Sequence, residues 1–229
     1  MTETCFSTNP SSPPTTTLSE GGDNTCTVRP IAISGVTFEV ETTIPTEHGT
    51  FQFRAYHDLV TGSEHLAIVS GTPTDGCFVR VHSECLTGEI FQSHKCECGP
   101  QLDSALNIIN QYGGVVIYMR GHEGRGIGLI NKLKAYRLQE TGLDTLDANL
   151  ALGLPADDRD YSAAAAILHD LRLRAVRLLT NNPDKVGQLT KHGITVLERV
   201  PLTAGAHPAN SAYLRTKRDR MGHLLQHTI

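Results

Sequence analysis

The pattern of apolar and polar positions divides the chain into two regimes. From 31 to 84 the period is two. TFEVET at 37–42 alternates, and FQFRAY at 51–56 follows the turn signal His48-Gly49. HLAIVSG at 65–71 and CFVRVHS at 77–83 come next, the latter after the loop TPTDG. Alternation bounded by turn residues predicts short strands. Four strands at this spacing predict an antiparallel meander.

After Cys98 the period lengthens. Leu102, Ala105, Leu106 and Ile109 fall at helical spacing, and Gly113-Gly114 ends that helix. VVIYM at 115–119 reads as a buried strand. A second helix is predicted over 127–140, with Leu129, Ile130, Leu133 and Tyr136 on its inner face and Lys132, Lys134 and Arg137 in solvent. Residues 141–161 are irregular and acidic. AAAAILHDL at 163–171 predicts a helix and AVRLLT at 175–180 a strand. PDKVGQLTKHG predicts a helix ended by Gly193, with Asn182 as its cap, and ITVLERV at 194–200 another strand. A last helix spans 210–225, its exposed face carrying Arg215, Lys217, Arg218 and Arg220. The expected fold class is mixed α/β, one compact unit with a β-rich N-terminal half and an α/β C-terminal half.

Composition narrows the function classes. Hydrophobic residues are 39% of the 229, ordinary for a globular chain, and no apolar run approaches the roughly 20 residues of a membrane-spanning helix. Net charge is −4 and there is no Trp, so no basic field interleaved with aromatics points to nucleic acid. Residues 1–30 hold 12 Ser or Thr, 4 Pro and one aromatic, which predicts a disordered tail. Arg29 is the only base there, against Glu3, Glu20 and Asp23, unlike an Arg-rich transit peptide. With no secretory signal pattern, a cytoplasmic, reducing setting is expected, where clustered cysteines mean metal or catalysis.

Of the six cysteines, Cys85, Cys96 and Cys98 are spaced C-x10-C-x-C. Three thiolates match a catalytic zinc site whose fourth position is open to water. A structural site completed by His82, His94 or Cys77 is the alternative, and a cluster without metal is another. RGHEGRGIGL at 120–129 combines glycines with Glu123 and Arg125 ahead of a helix N-terminus, an arrangement that suits an anionic, nitrogenous ligand. The plain alternative is a glycine-rich turn with solvated charges. LLTNNPDKVG at 178–187 puts Thr180 and Lys185 where a strand ends and a helix begins, which is either a place for phosphate or an ordinary strand–helix junction with a surface lysine. PADDRDY at 155–161 offers carboxylates around Arg159, either an acid–base group or a solvated charge run. Together these describe a zinc hydrolase with a phosphorylated, nitrogenous substrate.

RVHSECLTGE at 80–89, KCECGPQL at 95–102, HEGRGIGLINKLKAY at 122–136, DTLDANLALG, PADDRDY, RLLTNNPDKV and GITVLERVPL resemble, in order and spacing, GTP cyclohydrolase II of riboflavin synthesis. The resemblance covers about 37–225. It implies a catalytic domain over 31–229. The implied reaction is hydrolytic opening of the GTP imidazole ring, with release of formate and pyrophosphate. The product would be 2,5-diamino-6-(5-phosphoribosylamino)pyrimidin-4(3H)-one, the first committed step of that pathway. The resemblance also implies one Zn2+ per chain at Cys85, Cys96 and Cys98, Mg2+ with the triphosphate, and a homodimer. Its substrate contacts fall on Arg80, Val81, His82, Ser83, Glu84, Gln101, Glu123, Gly124, Arg125, Thr145, Thr180 and Lys185. Its proton acceptor falls on Asp157, its proposed nucleophile on Arg159, and its ring-opening tyrosine on Tyr136. Lys95 and Glu97 depart from the Arg and Asp common in the family, leaving charge unchanged. Two rivals stand beside this expectation: a variant that retains the formyl group, and a non-catalytic nucleotide-binding zinc module.

Overall fold

The computed structural model describes residues 31–33 and 35–225, so the tail expected over 1–30, with Cys5 and Cys26, lies outside the described residues. Strands β1 (Ile31–Ile33), β2 (Val36–Thr46), β3 (Gly49–Asp58) and β4 (Glu64–Ser70) pair antiparallel in sequence order. Strand β5 (Phe78–Ser83) leads into the short helix α1 (Leu86–Glu89) and then α2 (Cys98–Tyr112), β6 (Gly114–Met119), α3 (Gly128–Gln139) and α4 (Thr145–Ala151). Helix α5 (Ser162–Asp170), β7 (Ala175–Leu179), α6 (Pro183–Lys191), β8 (Thr195–Val200) and α7 (Ser211–Met221) complete the order. The fold is mixed α/β, β-rich at the N-terminal side and α/β beyond it.

All eight strands form one sheet, in the order β1-β2-β3-β4-β6-β5-β7-β8. The predicted four-strand meander is therefore corrected. β5 does not pair with β4; β6 does, antiparallel, and β5 runs parallel to both β6 and β7. The alternating pattern of 77–83 identified a strand but carried no information on its partner. With β8 parallel to β7, the carboxyl ends of β5, β6, β7 and β8 lie at one edge of the sheet. The chain leaves β5 toward β6 on one side and later toward β7 on the other. That reversal of strand order opens a crevice beyond Ser83.

Both faces of the central strands are covered, which is why VVIYM is continuously apolar. Val115, Ile117 and Met119 pack with Val79, Val81, Leu178 and the alanine-rich α5. The intervening Val116 packs on the other face with Ala105, Leu106 and Ile109 of α2, together with Phe51 and Ile68. Tyr56 ties the long hairpin to α5 by donating to Asp170 Oδ2 at 2.5 Å.

Three further readings change. Helix α3 presents Lys132 and Ala135 inward and leaves Leu129, Ile130 and Leu133 exposed, the reverse of the apolar-stripe expectation. The irregular stretch 141–161 contains α4, capped by Asp144, whose side chain accepts from Leu146 N and Asp147 N. On α7, Lys217 is mostly buried in an ion pair with Glu97, and Arg220 bridges to Asp144 and Asp147.

Gly114 opens β6 with φ +143°, and a Cβ there would lie 2.2 Å from the Phe78 carbonyl oxygen across the β5–β6 pairing. Backbone cannot yield as a side chain can. Gly114→Ala should destabilise the fold by on the order of 3 kcal/mol. Urea denaturation checks this, and an unchanged midpoint would show that the pairing tolerates the methyl group.

Candidate active site

Cys85 precedes α1, Cys96 lies in the loop after it, and Cys98 opens α2. The three Sγ atoms lie within 4.8 Å of one another. Cys85 Sγ and Cys96 Sγ are 3.7 Å apart. Tetrahedral Zn2+ with bonds of about 2.3 Å would set its sulfurs about 3.8 Å apart, so the donor set and its spacing fit that ion. Gly88 makes the approach possible, since a Cβ there would meet Cys96 Sγ at 2.7 Å and Cys85 Sγ at 3.2 Å. Sharing of protons divides the thiols. Hydrogen bonds with Cys96 and Cys98, aided by Lys132, hold Cys85 far below its ordinary value. The Cys85 thiolate in turn pushes Cys96 up to about 11 and raises Cys98 as well. Of the other sequence candidates for the cluster, His82 Nε2 is paired with Glu89 Oε1 at 2.8 Å, and His94 stacks on His207.

Beside the sulfurs sits a buried ammonium. Lys132 Nζ donates to Cys85 Sγ at 3.1 Å, to Thr87 Oγ1 at 2.8 Å and to Glu123 Oε1 at 2.5 Å. Burial opposes its charge, but the Cys85 sulfur and Glu123 outweigh that and raise its pKa. Glu123 Oε2 accepts from Leu86 N at 2.7 Å. Glu123 therefore braces the turn that carries Cys85 and does not line the open cleft.

The cleft beyond the sulfurs measures about 980 Å3, including its open mouth. Its walls bring together Arg80, His82, Ser83, Glu84, Gln101, Gly124, Arg125, Tyr136, Thr145, Arg159, Thr180 and Lys185 with all three cysteines. Val81 is buried in β5, and its carbonyl accepts from Lys185 Nζ at 2.7 Å. Arg80 donates to the Leu179 carbonyl at 2.9 Å and to Gln101 Oε1 at 2.8 Å. Arg125, held at φ +68°, has a buried Nη2 without a hydrogen-bond partner. These three buried cations thus meet neutral oxygens and, for Lys185 and Arg125, the rings of Tyr161 and Tyr213, but no carboxylate in hydrogen-bond contact. The consequence is electrostatic. Burial, then Arg80, Arg159 and Lys217, push Lys185 well below its ordinary value. Burial, then Arg159 and Lys185, hold His122 at about 3. A site that strains its own cations in this way favours a polyanion.

Asp157 grips Arg159 with both oxygens, Oδ1 accepting from Nε at 2.8 Å and Oδ2 from Nη2. Despite burial, Arg159 holds Asp157 below the usual carboxylate range, and Asp157 raises Arg159 above the usual arginine value. Arg159 Nη1 also reaches Ser83 Oγ at 3.5 Å, and Ser83 Oγ is 3.2 Å from His122 Nδ1. Glu84 Oε2 accepts from Gly121 N at 2.8 Å, and Thr180 Oγ1 from Asn182 N at 3.0 Å. Asn182 caps α6 as its sequence predicts. Tyr136 lies under two ammonium groups, Lys95 at 4.7 Å and Lys132 at 5.7 Å from its ring, and burial pushes its phenol up to about 12.

The cleft also contains residues that sequence reasoning did not single out: Lys132, His122, Tyr213, Lys217 and His223. His122 stood inside the RGHEGRG motif and was within reach of that reading. Lys217 carried no local signal, because its partner lies 120 positions away, and Lys132 stands nine positions from Glu123 but 47 from Cys85, whose sulfur it touches.

Fold and site define an α/β protein with a three-sulfur metal centre at the floor of a cationic cleft. The sequence model of the family described as GTP cyclohydrolase II matches residues 37–201, and the chain belongs to that family. The riboflavin biosynthesis protein RibBA of Nocardia farcinica is 59% identical over 186 residues, covering 80% of this chain and 45% of that protein. The RibBA proteins of Salinispora arenicola and Mycobacterium tuberculosis are 57% and 55% identical, covering 81% and 80% of this chain and 45% of each relative. The chain therefore spans about half the length of these relatives. A solved two-domain 3,4-dihydroxy-2-butanone 4-phosphate synthase, RibBX from A. baumannii, superposes with a TM-score of 0.37 at 21% identity over 64% of this chain and 34% of that one. Among the described residues no helix is long and apolar enough to cross a membrane.

Lys132→Met removes the ammonium that touches the Cys85 sulfur and strands Glu123. Zinc affinity should fall by about tenfold to a hundredfold, the size seen when a group bonded to a metal ligand is lost. Chelator competition measures it, and wild-type affinity would show the ammonium to be indifferent to the metal.

Proposed function

We propose that the chain hydrolyses GTP in riboflavin synthesis. The imidazole ring opens, C8 leaves as formate, pyrophosphate is released, and 2,5-diamino-6-(5-phosphoribosylamino)pyrimidin-4(3H)-one remains. The observation that carries this reading is the three-sulfur cluster at zinc spacing in a cleft whose lining also holds the buried cations Arg80, Arg125 and Lys185, hydrogen-bonded to neutral oxygens and not to carboxylates. Residues 31–229 act as one catalytic domain on this reading. Cys85, Cys96 and Cys98 hold Zn2+, and Mg2+ accompanies the triphosphate. When bound, Zn2+ supplies water activated near neutral pH. Family membership and the RibBA relatives support the pathway. The exposed Leu129, Ile130 and Leu133 of α3 support burial against a second copy, as in a homodimer. GTP is the small-molecule partner, with no nucleic acid or membrane, in the cytoplasm.

The chain's own groups divide the remaining work. Arg80, Arg125, Thr180 and Lys185, with Ser83 and Glu84 at the end of β5, grip the nucleotide. Thr145 and Gln101 close its sides. Tyr136 carries its proton at neutral pH, as an ordinary phenol does, and burial pushes it further up, to about 12. It therefore serves as a donor to the nitrogen released when the C8–N9 bond breaks. A second water then frees formate. The fork from Asp157 keeps Arg159 protonated, so Arg159 stabilises charge on the phosphates while a water adds to the α-phosphorus and pyrophosphate leaves.

Incubated with GTP, the zinc-loaded chain should release one formate per nucleotide with a change in ultraviolet absorbance. Cys85→Ser should lose both zinc and formate. Ring opening without formate would favour the variant that retains the formyl group, and an unchanged spectrum would favour a non-catalytic module.

The role of Arg159 is separable. Arg159→Lys should retain measurable pyrophosphate release, and mass spectrometry of the wild type during turnover should find residue 159 unmodified. A phosphoramidate on Arg159 would establish the covalent route instead.

A further inference from the structure

The matched family region ends at residue 201, but the wall of the cleft does not. Helix α7 and the turn after it contribute Tyr213, Lys217 and His223 to the lining. Three ties place this segment. Lys217 Nζ donates to Glu97 Oε1 at 2.7 Å, and Glu97 stands between Cys96 and Cys98. Arg220 forks onto Asp147 at 2.9 and 3.0 Å and also pairs with Asp144, the cap of the helix that begins at Thr145. The Leu224 N–H donates to the Asn181 carbonyl at 2.9 Å, in the loop that follows Thr180. The segment thus joins the sulfur loop, α4 and the end of β7.

Apolar packing does little to hold it. In α7 only Leu214 and Thr216 are buried, and the sequence SAYLRTKRDRM is mostly charged or polar. The segment is therefore positioned mainly by charge: the exposed Arg220 pairs bind weakly, and the buried Lys217–Glu97 pair ties it to the sulfur loop. Its inward groups sit among cations. The charged groups acting on His223 are Lys217, Arg159, Lys185 and Arg125. With burial, these hold its imidazole at about 3. Lys217 acts on Lys185 in the same sense. An anion placed among these groups relieves all of them at once.

We propose that residues 211–225 form a substrate-binding strap in which Lys217 and His223 contact the phosphate chain of the bound nucleotide while Arg220 holds the strap against α4. The inference rests on the reading of the cleft as a GTP site. It adds two phosphate contacts and one positioning residue from a segment beyond the matched region.

The test is calorimetric binding of a non-hydrolysable GTP analogue and of guanosine to the zinc-loaded full chain, with zinc content measured for every variant. Lys217→Met and His223→Ala should weaken the analogue by about tenfold or more and leave guanosine unchanged. Arg220→Ala should weaken the analogue and raise the KM for GTP, with kcat close to wild type. Lys217→Met exposes Glu97 to the loss of its partner, so His223→Ala and Arg220→Ala decide the matter if that variant loses zinc. Wild-type affinity in those variants, or an equal loss for guanosine, overturns the strap while leaving the GTP site standing. A wild-type chain that binds neither compound sinks both readings.

Discussion

Positive charge buried without an ion-pair contact is the constraint on which the rest of the structure depends. Arg80, Arg125 and Lys185 are each more than nine-tenths buried. Arg80 and Lys185 meet backbone carbonyls and an amide oxygen instead of carboxylates. Burying a cation without an ion-pair partner is costly, and the fold bears that cost by fixing Arg80 and Lys185 from a strand and a helix already packed into the core and Arg125 from the turn ahead of α3. Arg80 and Val81 belong to β5, Lys185 to α6, and the carbonyl that receives Lys185 is that of Val81 itself. The charge is thus pre-arranged before any ligand arrives. A polyanion entering the cleft recovers electrostatic energy that would otherwise be needed to gather these side chains.

The topology explains why the charges and the sulfurs meet. Parallel strands β6, β5, β7 and β8 end at one edge, and the loops that leave the first three carry, in turn, the EGR turn, the first cysteine and Thr180. The antiparallel strands extend the sheet away from that edge, and among the described residues no side chain of β2, β3 or β4 belongs to the cleft lining. They supply instead the surface on which α2 and α5 pack, and α2 carries Cys98 at its first turn and Gln101 one turn later. The N-terminal half of the described chain is therefore scaffold, and the chemistry is concentrated at the switch in strand order.

Local signals in the sequence were legible where local physics decides. The strands of the hairpins follow from alternation, α6 from Asn182 and Pro183, and the end of α2 from Gly113-Gly114. The cysteine trio was legible because C-x10-C-x-C holds its own geometry, closed by the small Gly88. What was not legible depends on distant pairing. The pattern of β5 cannot say whether β4 or β6 lies beside it. In α3 the hydrophobic stripe misled, because that helix faces a sulfur cluster and a carboxylate rather than an apolar core. A lysine surrounded by Cys85, Thr87 and Glu123 occupies the inner face instead. Lys217 was assigned to solvent for the same reason: periodicity ranks a cation as outward, and only Glu97, 120 positions away, turns it inward.

The two buried ion pairs bear on how the parts of the site act together. Glu123–Lys132 ends on the Cys85 sulfur, and its carboxylate belongs to the EGR turn whose arginine lines the cleft. Glu97–Lys217 begins between Cys96 and Cys98 and ends on α7. Each pair therefore has one end at the metal loop and the other on an element of the cleft wall. Breaking a buried pair by moving one member leaves the other uncompensated in a low-dielectric place. Displacement of either wall is then resisted by the sulfur cluster, and disturbance of the cluster is transmitted to the walls. Two separate covalent segments, each anchored in this way, give the metal centre and the cationic cleft a common rigidity that neither the short α1 nor the polar α7 possesses alone.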